Sequence, residues 1–331
     1  MKFVLPLKLS ELAVMLGARP VGDPDFLVTG MNEIHMVEAG DLTFVDHPKY
    51  YSKALNSNAT TIIINKEVDC PPGKALLISE KPFDDYVSLV MRFRPFERAL
   101  SSVSASARIG EGTVIQPGAF IGNHVTIGKD CIIHANASIY DHTVIGDHVI
   151  IHSGAVIGAD AYYFQRRPEG YKKLESCGRV VIEDHVEIGA LSSIDKGVSG
   201  DTFISRGTKF DNHVQVGHDT FIGRNCLIGA FCAIAGVTRI EDDVILWASV
   251  LVNKDLVIGK GAIVLAGSGT EKSLEGGKTY PGFYYCRYRH KRQDNDYYAY
   301  RRDIKKSGKK DYCRREYRKT FNGFSSIGRA A

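Results

Sequence analysis

This 331-residue chain is short of three things, and each shortage excludes a class of protein. It has no long uncharged run: the longest stretch without Asp, Glu, Lys, Arg or His extends only from Asn225 to Thr238. That is too short for a transmembrane helix. Cysteine is sparse and scattered (Cys70, Cys131, Cys177, Cys226, Cys232, Cys286 and Cys313), and no close pair accompanies histidines at metal-ligand spacing. A disulfide framework is therefore excluded and no metal is expected. Phosphate loops and nucleophile elbows are also missing: there is no GxxxxGK[ST], no GxGxxG after a strand and no GxSxG. GSGTEKS (267–273) lacks the Gly-Lys pair a phosphate loop requires. No cofactor or covalent enzyme intermediate is expected, which leaves direct attack of a bound amine or hydroxyl on an activated acyl group. Lys2 stands near the start, but Glu11 soon follows and no signal-peptide cleavage pattern appears, so a cytoplasmic location is the expectation.

Charge is uneven. Residues 281–331 hold 15 Lys or Arg against 5 Asp or Glu, whereas the rest of the chain is net acidic. Basicity thus cannot be spread over the molecule to argue for nucleic-acid binding. The same tail contains no Leu and no Val and crowds eight Tyr among its cations, leaving little aliphatic surface from which to build a core. It reads as an irregular basic tail, either disordered or frameshifted.

What the chain does have is a period of six. From Val103 an aliphatic residue recurs without a miss at Ile109, Ile115, Ile121, Ile127, Ile133, Ile139, Ile145, Ile151 and Ile157. The run resumes at Ile182, Ile188 and Ile194, and again from Ile204 through Phe210, Val216, Ile222, Ile228, Ile234, Ile240, Leu246, Val252 and Ile258 to Val264. A six-residue step smears an apolar position around an α-helix, and the Gly, Asn and Asp in nearly every unit would break a continuous strand. Short strands separated by turns, with the chain closing after three units, satisfy both facts. The repeated residues then stack inward at three-unit spacing, and β-branched side chains suit such a ladder. A parallel β-helix, a hexapeptide-repeat solenoid, follows for residues 101–280. Handedness does not follow from the period. The break at 159–181, rich in aromatic and basic residues, is expected to be a loop that serves a ligand or a subunit contact. Repetitive flat sides favour oligomers.

Residues 1–100 lack the period. LSELAVML (9–16) and DDYVSLVMRF (84–93) read as helices, TIIIN (61–65) and ALLIS (75–79) as strands, giving a small α/β domain expected to cap the first coil. Within it LTFVDHPKY interleaves Phe44 and Tyr50 with His47 and Lys49, a composition suited to a nucleobase and its phosphates.

Most histidines are explained by their phase. With the inward aliphatic as position zero, His124, His142, His148, His185 and His213 all fall at +3, which marks a corner, and His134 and His152 share +1. His218, in VGHDTFIG, is out of register at +2. A neutral imidazole there can accept a proton and return it to a leaving group. Asp211 or a backbone carbonyl is a candidate to fix its tautomer.

The phrases IGADAYYF, GRVVIEDHVEIGALSSIDKG and FDNHVQVGHDTFIG, in that order after LTFVDHPKY, resemble the UDP-3-O-(3-hydroxyacyl)glucosamine N-acyltransferases of lipid A biosynthesis over about residues 5–280. The resemblance implies a left-handed parallel β-helix behind an N-terminal α/β uridine-nucleotide-binding domain, assembled as a homotrimer. It also implies transfer of a 3-hydroxyacyl group from acyl carrier protein, as a phosphopantetheine thioester, to the 2-amine of UDP-3-O-acyl-glucosamine. His218 resembles the base and Asp211 the carboxylate that orients it, while Asn212 matches a position near the cleft. Phe44 and Tyr50 look like the uracil contacts, with His47 and Lys49 beside the nucleotide. Gly236 is a candidate for the backbone amide that holds the oxyanion. The sequence departs from the family pattern at Lys254, which replaces a second histidine assigned to substrate phosphate or pantetheine. Two other readings share the fold: an acetyl-coenzyme-A-dependent acetyltransferase of nucleotide amino sugars, and a noncatalytic solenoid that binds sugar nucleotides.

Overall fold

The computed structural model describes residues 1–281. The chain opens with β1 (Lys2–Lys8), α1 (Leu9–Leu16), β2 (Arg19–Val21), β3 (Leu27–Met31), β4 (Asp41–Val45), a single 3-10 turn (Pro48–Tyr50), α2 (Tyr51–Leu55), β5 (Thr61–Ile64), β6 (Ala75–Ile78) and α3 (Pro82–Phe93). The strands form one sheet in the order β1-β3-β4-β5-β6-β2. Its centre, β3 to β6, is parallel, and β1 and β2 run antiparallel at its edges. The uninterrupted apolar runs of β5 and β6 suit central strands covered on both faces. α3 begins with Pro82 in its first turn, followed by Asp84 and Asp85, and buries Phe83, Tyr86, Leu89 and Val90.

Beyond residue 107 the chain winds into a left-handed parallel β-helix built mostly of two-residue strands. Its three faces are ladders of eight, nine and eight strands. Register confirms the period: Ile127 pairs with Ile145, and Ile133 with Ile151, each one full coil of three units on. From Ile121 to Val264 every inward residue named above is at most 4% exposed. Burial of each contributes about 1.5–3 kcal/mol. A second inward row of small residues, including Cys131, Cys226 and Cys232, fills the corners. These thiols are free, and burial pushes that of Cys226 up to about 11, so they behave as small apolar groups.

The corners explain the histidines. Position +3 is left-handed at each of these corners, with φ of 58° at His124, 63° at His142, 57° at His148 and 59° at both His185 and His213. Asn, Asp and His tolerate that region better than most residues do. Successive corner rings then stack, as in His124 on His142 at 4.9 Å and His148 on His185 at 4.9 Å.

Two interruptions break the three-unit step. Ile145 pairs with Ile182, well beyond one coil, because 159–181 leaves the prism and folds into an antiparallel hairpin, Phe164–Arg167 against Gly170–Lys173. Ile182 pairs with Ile204, slightly more than one coil on, because a smaller bulge lies near Val198 and Ser199. Both face the N-terminal domain, and here one expectation is corrected. The domain does not close the first coil, where Val103 and Ile109 stay 37% and 38% exposed. Its core instead merges with Ala161, Leu174, Cys177 and Val198 from the two interruptions. A cap needs an apolar face at the coil end, and the domain spends its own on the side of the prism. The tail expectations for 281–331 fall, Pro281 apart, outside the described residues.

Candidate functional site

His218 follows the third-face strand Gln215–Val216, at the corner where the chain turns toward the next first-face strand, Phe221–Ile222. Its side chain is only 14% exposed, and Nδ1 lies 2.8 Å from Oδ2 of Asp219, whose carboxylate is fully buried. Donation from Nδ1 leaves Nε2 as the acceptor, so the hydrogen bond fixes the tautomer a general base requires. The Val198 amide donates to the same Oδ2 at 3.0 Å, and the Asp219 amide donates to Thr202 Oγ1. The orienting carboxylate expected at Asp211 is therefore Asp219. Asp211 sits on a different corner, between the second and third faces, where it is exposed and its Oδ1 accepts from the Asn212 amide. Asn212 stays with it, accepting from the Ala190 amide at 2.7 Å. Neither is brought to His218.

Gly236 is brought there. It stands one coil above His218 on the same corner, and a Cβ at this position would lie 2.8 Å from Nε2. The Val237 amide donates to the His218 carbonyl, which locks the two corners together. At the equivalent position of other corners the amide is taken by a side chain from the coil above, as Lys129 is by Asp147 and Arg224 by Asp242. Among the described residues the Gly236 amide has no acceptor. It is thus available beside the imidazole, in the manner of an oxyanion donor. Lys254, one coil further, is exposed on the same corner. With coils about 4.8 Å apart, its backbone lies roughly 10 Å from that of His218.

Three more segments enclose the site. Asp195, on the third-face strand preceding that of His218, accepts from Gln215 Nε2 at 3.2 Å, and burial raises its carboxyl to about 6 against the lowering effect of His218. The Tyr163 ring, from the insertion, lies 5.9 Å from the imidazole, and burial pushes its phenol up to about 12, so it stays a neutral donor. Glu33, from the loop after β3, is buried with its amide on Ser199 Oγ. Sequence reasoning missed Asp219, Asp195, Tyr163 and Glu33. Only Asp219 had a usable signal, its place directly after the out-of-phase histidine.

Of the nucleotide-segment residues, Phe44 packs into the domain core, its ring 4.8 Å from that of Tyr86 and 5.9 Å from that of Phe83. His47, Lys49 and Tyr50 are exposed together: the His47 and Tyr50 rings are 6.0 Å apart and Lys49 Nζ lies 5.6 Å from the Tyr50 ring. Asp46 anchors the insertion hairpin through Arg167 Nη2 at 3.0 Å and Gln165 Nε2 at 3.1 Å. A cavity of about 280 Å³ opens there, lined by Asp46, Asn65, Lys81, Phe83 and Arg167 among others. A second, of about 410 Å³, is a groove along the third face beside the His218 corner, with Gln215, Ala233, Ala235, Leu251, Val252 and Thr270 in its wall.

Comparison with known proteins finds matches to both parts of the chain. A family model described as UDP-3-O-(3-hydroxymyristoyl) glucosamine N-acyltransferase matches residues 25–91, and bacterial transferase hexapeptide repeats match 124–159. The UDP-3-O-acylglucosamine N-acyltransferase of Campylobacter lari is 37% identical over 299 residues, covering 84% of this chain and 92% of that protein. That of a Methylobacterium species is 32% identical, covering 85% and 89%. Among solved structures, the UDP-N-acetylglucosamine acyltransferase of Francisella novicida superposes with a TM-score of 0.52 at 27% identity, over 56% of this chain and 66% of that one.

Proposed function

The chain belongs to the UDP-3-O-acylglucosamine N-acyltransferases, enzymes of lipid A biosynthesis, and from that premise we propose that it transfers a 3-hydroxyacyl group from acyl carrier protein to the 2-amine of UDP-3-O-acyl-glucosamine. Nε2 of His218 takes a proton from the amine as its nitrogen attacks the thioester carbonyl. The C–N bond forms, the carbonyl electrons move to oxygen, and the oxyanion is held by the Gly236 amide. Collapse breaks the C–S bond, and the imidazolium returns the proton to the pantetheine sulfur, giving amide and free thiol. Asp219, not Asp211, orients the ring and stabilises its charged form.

The single observation that carries this reading is the buried Nδ1–Asp219 bond on a corner where the coil above places Gly236, its amide without an acceptor among the described residues, so close that a Cβ there would lie 2.8 Å from Nε2. The other roles follow from position. Tyr50, His47 and Lys49 receive the uridine nucleotide, and Phe44 backs them from the core. The acyl chain lies along the third-face groove, whose far corner carries the half-exposed Trp247. Lys254, on the catalytic corner, meets the donor's phosphate as a point charge. The assembly is a homotrimer, its substrates are cytosolic, and binding both of them in register supplies the orientation that catalysis needs. Mass spectrometry of the product formed from UDP-3-O-acyl-glucosamine with either 3-hydroxyacyl carrier protein or acetyl coenzyme A tests the assignment. The 3-hydroxyacyl amide is expected; product from acetyl coenzyme A alone overturns it.

A further inference from the structure

Few buried side-chain oxygens among the described residues lack a hydrogen-bond partner, and two of them belong to carboxyls that lie together beside the catalytic imidazole. They are Oε2 of Glu33 and Oδ1 of Asp219. Glu33 is 7% exposed and Asp219 8%. A carboxylate oxygen of each and a ring nitrogen of His35 lie within 4.8 Å of one another. Buried oxygens without partners are rare because each lost bond carries a desolvation penalty, so the pair calls for an explanation.

The explanation lies in where a proton resides. Two buried carboxyls this close do not both ionise. Asp219 already accepts from the His218 imidazole and the Val198 amide. The Glu33 carboxyl accepts no bond from the described residues, and the residue is held instead by the backbone amide it donates to Ser199 Oγ. The proton therefore belongs on Glu33. Burial, reinforced by the Asp219 charge, accordingly pushes the Glu33 carboxyl up to about 8.

Resting on the assignment of His218 as the base, we propose that Glu33 is a positioning residue, a neutral carboxylic acid whose O–H is directed at Oδ1 of Asp219 and holds that carboxylate against the imidazole. Oδ2 is thereby left for His218. The arrangement ties the base to the N-terminal domain, because the segment carrying Glu33 is anchored by the bulge that also contacts Asp219. Ser199 binds the Glu33 amide through Oγ and the N-terminal ammonium through its carbonyl, while Val198 binds Asp219.

The titratable groups facing Glu33 are His35 on its own segment, Asp219 and His218 on the corner, Tyr163 on the insertion, Tyr86 on α3 and the Met1 amino group. When Glu33 loses its proton, a second negative charge replaces the hydrogen bond and pushes Asp219 from its place. Turnover of the full-length enzyme should therefore fall as pH rises through the Glu33 value, about 8. Glu33→Gln retains a donor and cannot ionise. It should keep kcat within about threefold at pH 7 and lose that alkaline limb. Glu33→Ala should lower kcat at least about tenfold at pH 7 with KM for the sugar nucleotide little changed. An alkaline limb unchanged in Glu33→Gln would assign it to another group, such as the Met1 amine, and overturn the proposal. So would parental kcat in Glu33→Ala.

Infrared difference spectroscopy gives a readout that needs no turnover. A protonated-carboxyl band present at pH 7 and missing from Glu33→Gln is expected, and its absence from the parent overturns the proposal whatever the substrate. Failure of the functional reading shows differently, as a parent enzyme inactive with the carrier-protein donor or a His218→Ala enzyme of undiminished turnover.

Discussion

Two successive corners of one coil carry the same chemistry to opposite ends. At 211–214 the chain reads Asp-Asn-His-Val, and at 217–220 Gly-His-Asp-Thr. On the first corner Asp211 is exposed, and His213 lies in the left-handed region with its ring stacked on Phe231 at 4.9 Å. On the second, the aspartate is the left-handed residue, with φ of 55°, and the histidine precedes it at 14% exposure. The difference comes from what covers them. The 159–181 hairpin, the Val198–Ser199 bulge and the Glu33 loop pack over the second corner. A side-chain hydrogen bond open to water is worth little, whereas one that is desolvated is fixed and strongly coupled. On the proposed mechanism, covering one corner of a repetitive prism is what turns a structural motif into a base.

The sharpest way to break this comparison is to truncate both histidines. His218→Ala should lower kcat by about 10³-fold or more, with Tyr50-dependent nucleotide binding intact. His213→Ala should change kcat by less than about twofold. Equal losses, read in steady-state assays of both variants, would remove the distinction. The aspartates form the next pair. Asp219→Asn keeps the shape but offers the wrong group to Nδ1, and a loss of about 10²-fold or more is expected. Asp211→Asn should be close to neutral, and a large effect there would restore Asp211 to the mechanism.

Gly236→Ala probes the second corner alone. Its Cβ would come within 2.8 Å of Nε2 and crowd the space where the amine and the oxyanion must meet. A fall in kcat of about 10²-fold is expected, the scale of losing one oxyanion donor, with thermal unfolding near the parent's. Normal turnover in a folded Gly236→Ala protein would place the oxyanion elsewhere.

How much of this was legible follows from the same corners. The inward ladder was read residue by residue because one steric rule repeats without regard to context: Ile121 and Ile258 obey it equally, and each is fully buried. The +3 histidines were read for the same reason. That rule also hid Asp219, since +3 is where Asp, Asn and His recur from corner to corner for backbone reasons. An aspartate there attracts no notice until a buried imidazole lies beside it. Glu33 and Tyr163 were illegible, because they reach the site only when segments distant in the chain from His218 fold back on it. The cap was misjudged on the same grounds: a solenoid end calls for cover, but which apolar face supplies it depends on where Val198 and Leu174 emerge.

The smallest effect expected concerns strain stored on the His218 corner. Val237 follows Gly236 with φ of 60°, between Asp219 at 55° one coil below and Asp255 at 59° one coil above. A β-branched residue in the left-handed region is unusual, and the conformation costs about 1–2 kcal/mol for a residue with a Cβ. Its backbone N–H donates to the His218 carbonyl at 2.9 Å, which holds it there. Val237→Asn should keep that bond, relieve part of the strain and stabilise the fold by about 1 kcal/mol, leaving kcat within about twofold. Chemical denaturation measures the first and steady-state kinetics the second. A stabilised variant with lost activity would show that the isopropyl group touches substrate. A variant no more stable than the parent would mean that the corner imposes no strain on valine, and the catalytic and structural corners would then differ in cover alone.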